Sequence, residues 1–239
     1  MSNKPGLRQR LGLEAFRAKR QQQKESHELR TLFWECTLRC NVACRHCGSD
    51  CRACVEQADM PKEDFLRVID SITPHVDTHR VFIIFTGGEP LMRKDLEICG
   101  RELYRREYPW GIVTNGLHLS RQRLDSLLQA GMHSITVSLD GFEDAHNWLR
   151  CHPLSFQRAT EAIRMLTGEE EIIWDVVTCV NQNNIEQLPA FRDFLIGIGV
   201  RRWRIFTIFP VGRAAEVPEL QLSDKQFTGL LDFIVSTRQ

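Results

Sequence analysis

Short apolar runs alternate along the chain with segments of helical spacing. The runs cover Thr31–Glu35, Val81–Phe85, Gly111–Val113, Ser134–Ser138, Ile172–Thr178 and Trp203–Phe206. Each is rich in Val, Ile, Phe or Thr and free of proline, as strands buried on both faces require. Between them lie amphipathic stretches. Pro61, Glu63 and Asp64 open one with proline and acids in its first turn, and Phe65, Val68, Ile69 and Ile72 form its apolar face. A second follows Leu119-Ser120, carries Leu124, Leu127 and Leu128 inward and stops at Gly131. Asn184 is the expected cap of a third, with Ile185, Leu188, Phe191, Phe194 and Leu195 on one face. A last helical segment spans residues 223–239. Strand–helix alternation predicts a parallel α/β architecture. The pattern alone fits an open (β/α)6 partial barrel and a doubly wound sheet equally well.

Residues 1–30 stand apart and are expected to form an extension to a domain of residues 31–239. Leu7, Leu11, Leu13 and Phe16 mix with Arg8, Arg10, Arg17, Lys19 and Arg20. This reads as a helix packed on the main body with a solvated basic face, followed by a polar linker, Gln21–Glu28. A basic amphipathic helix for a partner or membrane surface is the competing reading.

Composition narrows the function classes. The 239 residues carry 31 basic and 31 acidic side chains, so nothing marks a polyanion-binding surface, and no nucleic-acid partner is indicated. No apolar run approaches the ~18 residues of a membrane span. The N-terminus lacks the apolar stretch of a secretory signal. The 9 cysteines are clustered and odd in number, which suits a reducing compartment and a metal site better than a disulfide scaffold. A cytoplasmic location is expected.

The cysteines supply the sharpest clue. Cys40, Cys44 and Cys47 occupy the string CNVACRHC just after the first strand. Three thiolates in one short loop can hold three irons of a cuboidal iron–sulfur cluster and leave the fourth without a protein ligand. Electron-transfer clusters close all four positions, whereas a site that must activate something keeps one open. A zinc-binding structural module is the alternative. The same spacing recurs in Cys47, Cys51 and Cys54. Proximity to the strand end favours the first triad, leaving Cys51 and Cys54 as free thiols, as ligands of a further metal or as redox-active groups.

Three more strings follow strands: TGGEPLMRKDL from Thr86, TNG from Thr114 and SLDG from Ser138. Glycine in the first lets main chain approach closely, and its carbonyls with the Glu89 carboxylate are acceptors suited to an ammonium group. Loops after barrel strands gather at one face and build the site. With the cysteine loop, these strings resemble the radical SAM superfamily over about residues 31–210. Asn41, after the first cysteine, agrees with that pattern.

The resemblance implies a partial TIM-like barrel and two cofactors, a [4Fe-4S] cluster and S-adenosylmethionine (SAM). It implies an enzyme in which the open iron is chelated by the amino and carboxylate groups of SAM. One electron, from a flavodoxin- or ferredoxin-like donor, then cleaves SAM to a 5′-deoxyadenosyl radical that takes a hydrogen atom from substrate. It assigns Cys40, Cys44 and Cys47 to the cluster. It assigns Gly87, Gly88, Glu89 and Pro90 to the methionine amino group and His46 to the adenine. Thr114, Asn115, Ser138 and Asp140 fall to the ribose or the SAM carboxylate, Ser138 being the better ribose candidate; Asp140, before a glycine, reads equally as an ordinary turn residue. Arg150 is a candidate for the SAM carboxylate, with a surface arginine as the alternative. Thr178, Asn181, Phe206 and Ile208 are weaker candidates bordering the adenine. The segment Pro210–Ala214 resembles relatives that modify peptides and proteins or build haem- and quinone-type cofactors. Many of those carry a cysteine-rich C-terminal extension; no cysteine follows Cys179 in this sequence, so either a core-only protein or a truncated form of a longer one is expected. The substrate is expected to be a peptide or protein, slightly ahead of a small molecule.

Overall fold

A computed structural model of the protein describes residues 6–238. It falls into two compact units, residues 1–30 and 31–239. The first contains one helix, α1 (Leu7–Ser26), none of whose residues is buried. Helix continues through Gln21–Ser26, the stretch expected to be a polar linker. Gln, Lys and Glu there are good helix formers, and the Gln21–Glu25 pair adds side-chain support.

The second unit is built on six strands. These are β1 (Thr31–Glu35), β2 (Phe82–Thr86), β3 (Trp110–Thr114), β4 (Met132–Ser138), β5 (Ile173–Val180) and β6 (Trp203–Thr207). They lie in sequence order and every pairing is parallel. The sheet curls into a half-barrel, so the (β/α)6 alternative holds over the doubly wound one. Helices α2 (Lys62–Ile72), α3 (Leu96–Arg105), α4 (Arg121–Gln129), α5 (Glu143–Arg150), α6 (Ser155–Leu166), α7 (Leu188–Gly197) and α8 (Asp224–Thr237) complete the unit.

Each strand matches an apolar run to within a few residues. Ile83, Phe85, Trp110, Ile112, Ile135, Val137 and Val176 are all buried. Trp34 stacks on Phe65 of α2 with ring centroids 3.6 Å apart, and Phe85 lies 5.4 Å from Trp110. Ser120 caps α4 by accepting from Arg123 N–H at 3.1 Å, and Gly131 turns the chain back at φ +83°. Asn184 departs from expectation. A short 3₁₀ turn at 185–187 intervenes before α7, and the Asn184 side chain does not cap it. Its oxygen instead accepts from Asn181 N–H at 2.8 Å, and its amide donates to the carbonyls of Asp140 and Cys179. The side chain thus ties the loops after β4 and β5 together.

Strand register determines what meets at the barrel mouth. Glu35 stands beside Thr86, Thr114 beside Val137 and Ser138 beside Val177. The residues that follow these ends are therefore brought together: the cysteine loop, Gly87, Asn115 and Asp140.

Candidate functional site

A cavity of about 180 Å³ opens at this mouth. Its walls include Cys40, Cys44, Cys47, Gly88, Asn115 and Ser138, so side chains from the loops after β1, β2 and β3 and from the end of β4 converge. His46, Gly87, Glu89, Thr114 and Arg150 also line it. Pro90 and Asp140 do not.

The cysteine loop is held by its neighbours' main chain. Gly88 N–H donates to Thr37 O at 2.7 Å, and Glu89 N–H donates to Arg39 O at 2.9 Å. A Cβ on Gly88 would lie 2.1 Å from Arg39 O, and one on Gly87, at φ +125°, would lie 2.3 Å from Thr37 O. The glycines are thus required by close approach of the cysteine loop itself. The Arg93 guanidinium donates to Cys36 O at 2.7 Å and Met60 O at 2.9 Å, bracing the same loop from below.

Glu89 is fully buried and already occupied. Its carboxylate accepts from Thr114 Oγ1 at 2.7 Å, Asn115 N–H at 2.8 Å and Leu91 N–H at 3.1 Å. A carboxylate has about four acceptor positions, so one remains for a ligand. Burial pushes its pKa up, against the pull of those three donors. Pro90 is buried and opens the turn that presents Leu91 N–H to Glu89. Asn115 reaches the cysteine loop directly: Nδ2 donates to Asn41 Oδ1 at 2.7 Å and lies 4.0 Å from Cys40 Sγ.

Asp140 and Arg150 form a buried pair. Arg150 Nε donates to Asp140 Oδ2 at 2.7 Å, and Cys179 N–H donates to Asp140 Oδ1 at 2.9 Å. Burial alone would raise the Asp140 pKa, but the Arg150 guanidinium overrides it and holds the carboxyl well below the usual range. His146 Nδ1 accepts from Asp140 N–H at 2.9 Å, and Nε2 faces Ser155 Oγ at 3.0 Å, so the ring is neutral and its 3.5 Å approach to the carboxylate is no ion pair. Burial lowers the His146 pKa, in agreement. Both Asp140 carboxylate oxygens are thus engaged by Arg150 and the Cys179 N–H, and the residue does not line the cavity. Arg150 is neither a surface residue nor unpaired, and its Nη1 lies 3.8 Å from Cys44 Sγ.

The outer candidates divide. Thr178 Oγ1 donates to Leu139 O at 2.6 Å and accepts from Trp203 Nε1 at 2.8 Å, and Asn181 is spent on its own turn. Neither borders the cavity. Phe206 and Ile208 line a second, apolar cavity of about 610 Å³ between β6 and α8. His46 belongs to both cavities and joins them. Sequence reasoning missed the role of Arg213. Its Nε donates to Cys44 O at 2.8 Å, and Nη1 donates to Asp50 Oδ1 at 2.7 Å and Cys51 O at 3.1 Å. The string around it was visible, but nothing local indicated that its partner would be the cysteine loop.

The donor set suits an iron–sulfur cluster. Cys40, Cys44 and Cys47 line one cavity, and burial pushes Cys40 up to about 11, so metal must displace the protons. Among the described residues no three Cys, His, Asp or Glu side chains converge on the centre of a single ion. The buried His46 Nδ1 has no partner within the protein, and burial, with Arg150 nearby, lowers the ring to about 4, so it is neutral.

Comparison with known proteins agrees. The AdoMet-dependent heme synthase of Oleidesulfovibrio alaskensis is 28% identical over 218 residues, covering 88% of this chain and 53% of the relative. Streptococcus suis SuiB bound to its precursor peptide SuiA superposes with a TM-score of 0.70 at 15% identity, over 95% of this chain and 51% of SuiB. The structure of anSMEcpe with bound AdoMet gives 0.71 at 18% identity, over 86% and 60%. The chain thus spans about half the length of the relatives it matches. The model of the Radical SAM superfamily matches residues 34–195, most of the barrel, and the protein belongs to that superfamily.

Proposed function

We propose that the protein cleaves SAM reductively to start hydrogen abstraction from a peptide or protein substrate. The observation that carries this reading is the convergence of Cys40, Cys44 and Cys47 with Gly88, Asn115 and Ser138 on one cavity at the strand ends. Cys40, Cys44 and Cys47 would hold a [4Fe-4S] cluster. When bound, that cluster supplies the electron that splits SAM into methionine and a 5′-deoxyadenosyl radical, delivered by a flavodoxin- or ferredoxin-like donor.

The chain's own residues position and exclude. The Gly87–Gly88 carbonyls and the last acceptor position of Glu89 receive an ammonium group. Asn115 holds Asn41 and so keeps Cys40 in place. Ser138 presents a hydroxyl to the ribose, and the neutral His46 ring offers its unpaired nitrogen and its face to the adenine. Arg150, locked by Asp140, brings a fixed positive charge to the Cys44 side of the cavity, where it favours the thiolate and attracts a carboxylate. A zinc-only structural role would leave these groups idle.

The substrate reading rests on the larger cavity. It is lined by Ile205, Phe206, Ile208, Phe209, Phe227 and Leu231 among others, and among the described residues no Lys, Arg, Asp or Glu lines it. Such walls suit an apolar side chain of a peptide better than a polycarboxylate, which needs cationic partners. SuiB is a neighbour whose structure holds a peptide. Titration of the iron-loaded protein with SAM tests the cofactor assignment: saturable binding that requires iron is expected, and no binding would defeat it. Phe206→Asp tests the groove: it should leave SAM binding unchanged and abolish retention of apolar peptides.

A further inference from the structure

Cys51 lies outside the three-cysteine string, yet the fold brings it to the same place. It is 2% exposed and packs against Cys40, Val42 and Cys44. It lines the same cavity as Cys40, Cys44 and Cys47, and its Sγ lies 3.8 Å from Ser49 O. Cys54, the third member of the alternative triad, is exposed and lines no part of that cavity. The two cysteines that looked equivalent in sequence are therefore different.

Two separate segments hold residue 51 there. Cys40 N–H donates to Arg52 O at 2.8 Å, and Arg52 N–H donates to Leu38 O at 3.3 Å, so residues 51–53 run alongside the start of the cysteine loop. From the other side, Arg213 Nη1 donates to Cys51 O while its main-chain N–H donates to Cys47 O at 3.0 Å. Gly212 permits that approach: at φ +58° its Cβ would sit 2.5 Å from Cys47 O. A buried cysteine often serves as a small apolar filler. This one shares its cavity with three other thiols and with Glu89, Asn115 and Arg150, and three thiolates leave one iron of a four-iron cluster without a protein ligand.

We propose that Cys51 is a fourth, displaceable thiolate ligand that occupies the open iron until SAM takes it. The inference rests on the cluster assignment made above. On ligation the Cys51 S–H bond breaks, its proton goes to solvent and a sulfur–iron bond forms. When SAM arrives, its amino and carboxylate groups replace that bond and the thiolate takes a proton back, with no net oxidation or reduction. The closed state protects the otherwise labile iron in the absence of SAM. The Cys51 carbonyl stays held by Arg213 and residue 52 by the start of the cysteine loop, so displacement is a rotation of the Cys51 side chain alone while the triad stays.

The test compares anaerobically reconstituted wild type with Cys51→Ala, Cys51→Ser and Cys54→Ala. Each is titrated with ferricyanide, and the EPR signal of the three-iron form is followed with iron content. Without SAM, Cys51→Ala should lose its fourth iron about tenfold faster than wild type or Cys54→Ala, the scale on which metal-site partners act. Cys51→Ser, which preserves the packing, should fall between. Saturating SAM should erase the differences. Equal rates without SAM would overturn the proposal, as would a difference that SAM leaves untouched, because that would mark a packing role. Retention of the whole cluster in Cys40→Ala with its loss in Cys51→Ala would overturn the triad assignment itself, a separate failure.

Discussion

Arg150 Nη1 and Cys44 Sγ stand 3.8 Å apart although 106 positions separate them in the chain. The arginine is anchored from behind by Asp140, so its charge is directed at the thiol rather than free to swing. Removing Arg150 leaves the Asp140 carboxylate buried without a counter-charge. Arg150→Met should therefore destabilise the fold by about 3–5 kcal/mol. The double variant with Asp140→Asn should cost less than the sum of the two single changes. Chemical unfolding of the three variants checks this, and strict additivity would contradict it.

The same pair sets a pH dependence. The Asp140 carboxyl is held below its ordinary value of 3.8 in the folded state. Its contribution to stability is complete above that ordinary value and is lost as pH falls toward the folded value. The stability difference between wild type and Asp140→Asn should be constant above about pH 5 and shrink on further acidification. Unfolding midpoints measured across that range decide it. A difference that grows in acid would refute the assignment.

Gly88 makes a third prediction. Its missing side chain leaves room for Arg39 O, part of the cysteine loop. Gly88→Val must push that loop away, costing on the order of 1–3 kcal/mol in overpacking. The variant should lose iron as well as SAM binding when both are measured on the reconstituted protein. Loss of SAM binding with full iron content would mean that the glycine faces the ligand.

Much of this architecture was legible in the chain. Strands buried on both faces have to be apolar, so β2 to β5 stood out as runs; β1 and β6, the more exposed edge strands, stood out by their aromatic and aliphatic residues. The chemistry-bearing loops were short strings at their ends. Other features were tertiary and left no local signal. Arg213 and Asp50 pair across 163 positions. Asn184 sits where a helix cap is expected, yet its amide bridges the loops after β4 and β5. Asp140 looked like a turn residue or a ligand because nothing nearby in sequence revealed that Arg150, one helix later, would turn inward to meet it. Cys51 and Cys54 shared one spacing motif, and only the path of residues 48–54 separates the buried thiol from the exposed one.

Replacement of each cysteine of the triad should be equally severe. Cys40→Ala, Cys44→Ala and Cys47→Ala each remove one of three obligatory thiolates, so each should abolish stable cluster assembly. Cys54→Ala, at an exposed position, should retain full iron. Iron and sulfide analysis after anaerobic reconstitution reads the outcome. Full iron content in any of the three would displace that residue from the site.

The most direct measurement is product analysis on the iron-loaded wild type after anaerobic reduction in the presence of SAM. The account predicts methionine and 5′-deoxyadenosine in equal amounts, formed slowly even without substrate and absent from Cys44→Ala. A colourless protein that takes up stoichiometric zinc, or an iron-loaded protein that leaves SAM intact under strong reduction, would contradict it.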